Sequence, residues 1–136
     1  MRAIYMGTKT HDCDLLLVER AVRSIRREFP NFRLFVVGVT EGDVDWCERL
    51  VIPAGHTAYP KFVVWFRKIA VRMDFAVAPL EGNRFNAGKS DLKSLDYACA
   101  GLCGLYSNVA PYSAAIEHGR TGFLVENALR AALRAN

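Results

Sequence analysis

The amino-acid sequence predicts an α/β domain in which helices cover both faces of a parallel sheet. Short apolar blocks of strand length alternate along the chain with segments whose apolar residues recur every three or four positions. The block FRLFVVG (32–38) is almost continuously apolar, as in a strand that is covered on both faces. Because 136 residues suit one domain with a substantial core, we expect residues 1–136 to form a single domain.

The first half of the chain is predicted to begin with a strand at RAIYM (2–6), which ends at Gly7. In the helix that follows, five apolar residues share one face: Leu15, Val18, Val22, Ile25 and Phe29. Asp12 or Asp14 suits the start of this helix as a cap, and Pro30 ends it. The next predicted elements are a strand, a short helix and a strand, at residues 32–38, 41–49 and 50–53.

The second half continues the alternation with a helix whose first turn contains Pro60. Its buried stripe is predicted to be Phe62, Phe66, Ile69 and Met73. A strand at 74–79 and a loop at 81–88 come next, before a helix within GKSDLKSLDYACAG (88–101). In that helix we expect four residues to pack on the sheet: Leu92, Leu95, Cys99 and Leu102. A strand, a short helix, a strand and a final helix are predicted at 103–107, 110–119, 121–125 and 126–135.

Six strands in this alternation favour a doubly wound, Rossmann-like, six-stranded parallel sheet, because right-handed crossovers leave few other topologies. In such sheets, ligands bind outside the carboxyl ends of the strands, near the point where the strand order reverses. The loops that form this edge follow Met6, Gly38, Pro53, Pro79 and Ser107.

Composition narrows the class of protein. About half of the residues are hydrophobic and a quarter are charged, which is typical of soluble globular proteins. The sequence has neither a membrane-span pattern nor a signal peptide, so we expect a cytoplasmic location. The four cysteines form no CxxC pair, so no metal site is predicted. The formal charge of +4 suits anionic partners, but no basic stripe interleaved with aromatic residues indicates nucleic acid.

The loop GTKTHDCD (7–14), after the first predicted strand, has the features of an anion site. Gly7 permits close approach to the backbone, and the free amides of the next helix attract negative charge. Neither a GxGxxG fingerprint nor a P-loop is present, and no acidic residue closes the strand at Gly38, which disfavours a dinucleotide oxidoreductase. Three side chains are equally explained as helix caps: Thr10, Asp12 and Asp14. Lys9 and His11 are less easily explained in that way.

The stretch GKSDLKSLDYACAG has a polar entrance that suits a nucleoside diphosphate. Lys89, the Ser90 hydroxyl and the amides at the helix start converge on one point, where a phosphate would be favoured. Asp96 follows about one and a half turns later, where it could accept hydrogen bonds from a ribose. The alternative is that Ser90 is only an N-cap and that Asp96 only pairs with Lys93.

Nearly the whole chain resembles the C-terminal, donor-binding half of GT-B-fold glycosyltransferases of the bacterial group 1 superfamily. The resemblance starts at IYMGTKTHDCDLLL and FRLFVVG and ends at SNVAPYSAAIEHGRTGFLVEN. Its specific part is MDFAVAPLEGNRFNAGKSDLKSLDYACAG, which is similar to a subgroup associated with surface polysaccharide assembly. The resemblance implies a six-stranded Rossmann domain that binds a nucleotide-sugar as substrate, with no cofactor.

The resemblance also implies roles for individual residues. Lys89, Ser90 and the Leu92 amide would meet the donor diphosphate, with Gly7 and Thr8 facing it from the opposite loop. Asp96 stands where the family usually has the glutamate that meets the ribose. Further donor-site candidates are Lys9, His11, Thr57, Tyr59, Glu81 and Asn86, with Thr57 or Tyr59 near the base.

The sequence departs from the family in two respects. Gly88 stands where the family often has the carboxylate that contacts the donor sugar, and Glu81 is the candidate replacement. The N-terminal, acceptor-binding half is absent and the chain stops soon after its sixth strand, so we expect a fragment or a truncated protein that is inactive alone. The missing half is the expected protein partner, and peripheral membrane association of the full enzyme is compatible with the family.

Two functions therefore follow from the sequence. The first is the donor-binding domain of a glycosyltransferase in surface polysaccharide biosynthesis, and the alternative is a non-catalytic nucleotide-binding or interaction module of the same fold. A flavodoxin-like or response-regulator domain fits the length, but neither an acidic cluster nor a flavin loop is found at the strand ends.

Overall fold

The computed structural model describes residues 1–7, 12–38 and 44–126. Its strands are β1 (Arg2–Met6), β2 (Arg33–Val37), β3 (Glu48–Leu50), β4 (Phe75–Ala78), β5 (Gly104–Ser107) and β6 (Phe123–Val125). Its helices are α1 (Asp12–Glu28), α2 (Tyr59–Ala70), α3 (Arg84–Ala87), α4 (Leu92–Cys99) and α5 (Tyr112–Ala115). No helix within these ranges is both long and apolar enough to span a membrane.

The strands form one parallel sheet in the order β3-β2-β1-β4-β5-β6, which confirms the doubly wound prediction. Strand β1 pairs with β2 along its whole length, from Arg2 opposite Arg33 to Met6 opposite Val37. The pairing of β1 with β4 covers only Ala3 and Ile4. Because the strand order reverses between β1 and β4, their divergence opens a crevice at the carboxyl edge of the sheet.

Alternate residues of the central strands face two apolar layers. Ile4 and Met6 face the layer that contains Phe66 of α2 and Tyr97 of α4. Ala3, Tyr5, Leu34 and Val36 face the other layer, where they pack against Val18 and Val22 of α1. Burial on both faces explains why the central strands are almost continuously apolar.

Helix α1 follows the predicted pattern over most of its length. Val18 and Val22 are buried and Ile25 packs against them, but Phe29, which was expected on the same face, is exposed. The helix ends at Glu28, just before Pro30, so Phe29 lies outside the helical periodicity. Helix α2 has Pro60 in its first turn as predicted.

The prediction of a short helix at 41–49 and a strand at 50–53 is wrong where the chain is described. The third strand begins at Glu48 and ends at Leu50, and Val51 is exposed. Trp46 and Cys47 are buried in the layer under α1, which brings the next three residues alongside β2. Tertiary burial and the hydrogen bonds of the β2 edge therefore outweigh the local pattern.

Two further differences lie in the segment 81–101. The predicted loop at 81–88 contains α3, which Asn83 caps by accepting a hydrogen bond from the Asn86 amide at 2.8 Å. The expected packing face of α4 is also wrong, because Leu92 and Leu95 are 47% and 56% exposed. Ser94 and Tyr97 are the buried residues of this helix. The predicted final helix at 126–135 lies almost wholly outside the described residues.

Candidate functional site

The rotation of α4 is set by a hydrogen-bonding tyrosine at the crevice between β1 and β4. The Tyr97 hydroxyl accepts a hydrogen bond from the Met6 amide at 3.3 Å and donates one to the Val77 carbonyl at 2.9 Å. Both backbone groups lie where the two strands have separated, so the hydroxyl replaces missing ladder bonds. Full burial raises the pKa of Tyr97 well above its usual value, which keeps it a donor. Tyr97 thereby fixes the start of α4 beside the carboxyl edge of the sheet.

Gly7 and Gly38, the residues that directly follow β1 and β2, lie against each other. The Gly7 amide donates to the Val37 carbonyl at 2.9 Å, and Gly38 has a φ of 70°. A β-carbon at position 38 would lie 2.5 Å from the Gly7 carbonyl oxygen, so a side chain there would clash. Glycine at position 38 therefore permits the close approach of its backbone to that of Gly7.

A cavity of about 500 Å³ lies at this edge. We call it the rim cavity. It is lined by Met6, Gly7, Ile52, Thr57, Tyr59, Phe62, Leu80, Lys89, Ser90, Leu92, Lys93, Asp96 and Tyr112. Its size lies in the range of small-molecule sites, and its polar groups come mainly from the start of α4 and from the start of α2.

Lys89 reaches the rim cavity while paired with a buried carboxylate. Its ammonium lies 3.6 Å from Asp14 Oδ2, and its side chain is 19% exposed against 3% for that of Asp14. The other carboxylate oxygen, Asp14 Oδ1, accepts a hydrogen bond from the Glu81 amide at 2.9 Å and a longer one from Asn86 Nδ2 at 3.4 Å. The Lys89 ammonium also lies 5.2 Å from the centre of the Phe85 ring. In the protein without ligand, the charge of Lys89 is therefore largely offset by Asp14.

Lys93 is the second cation of the rim cavity. Its ammonium lies 5.7 Å from the centre of the Tyr5 ring. Burial, reinforced by repulsion from Lys89, lowers the pKa of Lys93 to about 8, although Asp14 and Asp96 act in the opposite direction. From the sequence alone, Lys93 was considered only as a partner of Asp96. The available indication was its spacing of four residues from Lys89, which in a continuous helix would put the two side chains on the same face.

A hydrogen bond between Asp96, in the middle of α4, and Tyr59, the first residue of α2, joins the two helices at the rim cavity. The Tyr59 hydroxyl donates to Asp96 Oδ1 at 2.6 Å, and this hydrogen bond raises the pKa of Tyr59. Thr57 lines the cavity next to this pair. Asp96 presents a carboxylate to the cavity that the tyrosine holds in one orientation.

The first turn of α4 is open to the rim cavity. Asp91 occupies the N-cap position, yet within the described chain its side chain makes no capping hydrogen bond. Ser90 does not act as the cap that the alternative interpretation suggested, and it lines the cavity with Leu92. The Ser94 amide donates to the Asp91 carbonyl at 2.8 Å, so the amides of Leu92 and Lys93 are the first-turn groups that could serve a ligand.

The predicted site residues divide into three groups. Those that line the rim cavity are Gly7, Thr57, Tyr59, Lys89, Ser90, Leu92 and Asp96. Two others are placed outside it: Asn86 is buried and donates to the Glu81 carbonyl at 2.9 Å, while Glu81 is exposed. Thr8, Lys9 and His11 lie outside the described residues. Sequence reasoning did not find the role of Asp14, because its partner lies 75 positions further along the chain.

The backbone conformation at position 88 does not require a glycine. Its φ is −85°, and a β-carbon there would have only an ordinary contact of 3.6 Å with the Phe85 carbonyl oxygen. A larger residue therefore fits at this position. Over the described ranges, no group of three or more His, Cys, Asp or Glu side chains is arranged to hold a metal ion.

The fold and the crevice define the class: this is an α/β domain with the Rossmann-like fold of a GT-B glycosyltransferase C-terminal domain. One similar solved structure is the C-terminal domain of the glycosyl transferase group 1 family protein LpcC from Francisella tularensis. It has a TM-score of 0.59 and 16% identity, over 98% of this chain and 72% of that one.

Another similar solved structure is a GtfA/B complex, with a TM-score of 0.63 and 13% identity over 97% of this chain. The chain spans 27% of the length of that structure's chain. No protein-family model and no curated protein sequence matches the chain. At these identities the likeness establishes the fold.

Proposed function

We propose that this chain is the donor-binding domain of a glycosyltransferase. It binds a nucleoside-diphosphate sugar in the cytoplasm, and the sugar is transferred to a glycan acceptor, in surface polysaccharide biosynthesis. One observation carries the proposal: the rim cavity lies at the crevice between β1 and β4, and two lysines, the start of α4 and the Asp96 carboxylate all line it. This arrangement complements a diphosphate joined to a ribose.

The diphosphate end is formed by the start of α4. Lys89, Lys93 and the amides of the first turn present positive charge and hydrogen-bond donors to the same region of the cavity. Burial lowers the pKa of Lys93 to about 8, so part of the Lys93 population is neutral near that pH. A ligand anion would restore the charged state that burial disfavours.

The nucleoside end is formed by Asp96, Tyr59 and Thr57. Tyr59 occupies one oxygen of the Asp96 carboxylate, which fixes the plane of the group. The ribose hydroxyls would donate to the carboxylate, and the base would lie towards Thr57. A carboxylate accepts two neighbouring hydroxyl donors well, because each of its oxygens has two lone pairs.

The chemical contribution of this domain would be stabilisation of the leaving group. As the bond between sugar and diphosphate breaks, negative charge accumulates on the diphosphate, and preorganised cations and amides lower the energy of that state. Transfer would also need the acceptor side, contributed by a separate N-terminal domain as partner. Gly88 offers no carboxylate to the donor sugar.

Gly88 also supports a second candidate, a nucleotide-binding module without transferase activity. The two functions differ in what happens after binding. If nucleotide binding is found, but a matching acceptor domain adds no sugar transfer or donor hydrolysis, the module is favoured.

The proposal is tested by titrating the protein with UDP, GDP, ADP and dTDP in a calorimeter. We expect one of them to bind, and Lys89→Met to weaken that binding about 10-fold, near the lower limit for a hydrogen bond to a charged group. Lys61→Met is the matched control, because Lys61 is an exposed lysine of α2 outside the rim cavity. If no nucleotide binds, or if both variants lose affinity equally, the proposal is wrong.

A further inference from the structure

A second cavity, of about 410 Å³, lies between α2 and the sheet, from the starts of β1 and β2 to Leu50 at the end of β3, and it shares no lining residue with the rim cavity. We call it the basal pocket. Arg2, the first residue of β1, lines it, whereas Met6, the last residue of the same strand, lines the rim cavity. Four steps along a strand separate these two residues by about 13 Å. The basal pocket is therefore separate from the proposed donor site.

Four cations from three elements converge on the basal pocket: Arg2 of β1, Arg33 of β2, and Lys68 and Arg72 of α2 and the turn after it. Arg2 and Arg33 are register partners on adjacent strands, an arrangement in which like charges repel. In the part of the chain that the structure describes, the side chains of Arg2, Lys68 and Arg72 make no ion pair.

The carboxylates near the pocket offset only part of this charge. Glu48 forms a bidentate pair with Arg33, and Asp74 Oδ2 accepts a hydrogen bond from the Arg2 amide at 2.7 Å. Lys68 and Arg72 also lie at the end of α2, where the helix dipole favours cations. The dipole does not account for the two arginines at the start of neighbouring strands. The pocket therefore keeps a net positive charge without a ligand.

The walls of the basal pocket are apolar and partly aromatic. Phe35 and Trp65 line it, and the Arg33 guanidinium lies 5.0 Å from the centre of the Phe35 ring. Glu48 occupies the bidentate edge of the Arg33 guanidinium, so Arg33 forms part of the wall and leaves direct binding of an anion to the other cations. A ligand for this pocket needs an anionic group for the cations and a planar or apolar part for the walls.

We propose that the basal pocket binds an organic phosphate, with the phosphate held by Arg2, Lys68 and Arg72 and its apolar part against Trp65. Arginine suits this task because its planar fork matches two phosphate oxygens at once. The same chemistry is presented by a small soluble phosphate ester and by the headgroup of an anionic phospholipid. The two sources are distinguished by whether a soluble phosphate ester binds to the pocket by itself or whether only a lipid membrane is bound.

The experiment uses the whole chain and two kinds of probe. Phenyl phosphate is titrated while the fluorescence of Trp65 is followed, with Trp65→Phe as the variant that should lose the signal. In parallel, the protein is sedimented with vesicles of phosphatidylglycerol and with vesicles of phosphatidylcholine. The test variant is Lys68→Gln/Arg72→Gln, and Lys61→Gln/Arg67→Gln removes the same charge from the same helix outside the pocket.

Whichever probe the parent protein binds, we expect the test variant to bind that probe at least about 10-fold more weakly. The control variant should bind it like the parent protein. Lys93→Met, at the rim cavity, should leave this binding unchanged, which separates it from the proposed donor site. Pocket-dependent binding of phenyl phosphate supports a soluble ligand. Pocket-dependent binding only to phosphatidylglycerol vesicles supports a lipid headgroup. Binding in neither arm, or equal losses in test and control variants, overturns the proposal.

Discussion

The lowered pKa of Lys93 leads to a prediction about proton uptake. With a pKa of about 8, the amine is half protonated at pH 8 before any ligand binds. An anion within about 4–6 Å raises the pKa of such a group by about 1–3 units. Binding of a nucleoside diphosphate at pH 8 should therefore take up about 0.4–0.5 of a proton. The ligand itself contributes little, since the last phosphate pKa lies near about 6.

The uptake is measured by calorimetry at one pH in buffers with different ionisation enthalpies. A pKa increase of about two units also predicts that affinity falls about 10-fold between pH 7 and pH 9. Both effects should disappear in Lys93→Met and persist in Lys61→Met. Uptake that survives in Lys93→Met would refute the reasoning, because another group would then be titrating. Binding without uptake in the parent protein would refute it as well.

The same group makes stability depend on pH. Between about pH 8 and 10.5 the unfolded chain holds a proton on Lys93 that the folded chain has released. Above pH 10.5 Lys93 is neutral in both states, so its burial does not lower the free energy of unfolding. As the pH falls from 10.5 through 8, the unfolded state gains a proton first, and the free energy of unfolding decreases. The full difference is on the order of 3 kcal/mol. It should appear as a difference in urea unfolding between the parent protein and Lys93→Met.

Three further substitutions test the structure around the rim cavity. Tyr97→Phe leaves two buried backbone groups unsatisfied and should lower the free energy of unfolding by about 1–3 kcal/mol in urea, whereas an unchanged value would contradict its anchoring role. Gly38→Ala combines a φ of 70° with a backbone clash and should cost more than Gly101→Ala, which meets only the conformational penalty of about 1–2 kcal/mol. Equal losses of unfolding free energy would remove the clash from the explanation. Tyr59→Phe, which frees Asp96, should weaken nucleoside diphosphate binding about fivefold and leave pyrophosphate binding unchanged. Parallel weakening of both ligands would argue against a ribose contact.

The order of elements was predictable because it depends on local patterns. Short apolar blocks identified β1, β2 and β4, apolar spacing of three and four residues identified α1 and α2, and the alternation of strands and helices led to the doubly wound topology. The error at 41–53 has a different origin. There the burial of Trp46 and Cys47 under α1 decides where the strand forms, and this contact joins parts of the chain that the local pattern does not relate.

The site was predictable to the extent that the start of α4 had to lie at the carboxyl edge of the sheet. Lys89, Ser90 and Asp96 were expected there, and all three line the rim cavity. The face on which α4 packs was not predictable from its leucines. Tyr97 faces the sheet, where its hydroxyl satisfies two backbone groups and its ring packs against Phe66 and Tyr106, and Leu92 is exposed.

The sequence by itself determined the fold class, the number and order of the strands, and the edge of the sheet where polar groups collect. Only the tertiary structure decided that Asp14 partners Lys89, that Lys93 is desolvated, and that four cations meet at the basal pocket. The physical reason is one of range. Periodicity and turn chemistry act within a few residues, whereas charge pairing and desolvation depend on groups that folding brings together from distant parts of the chain.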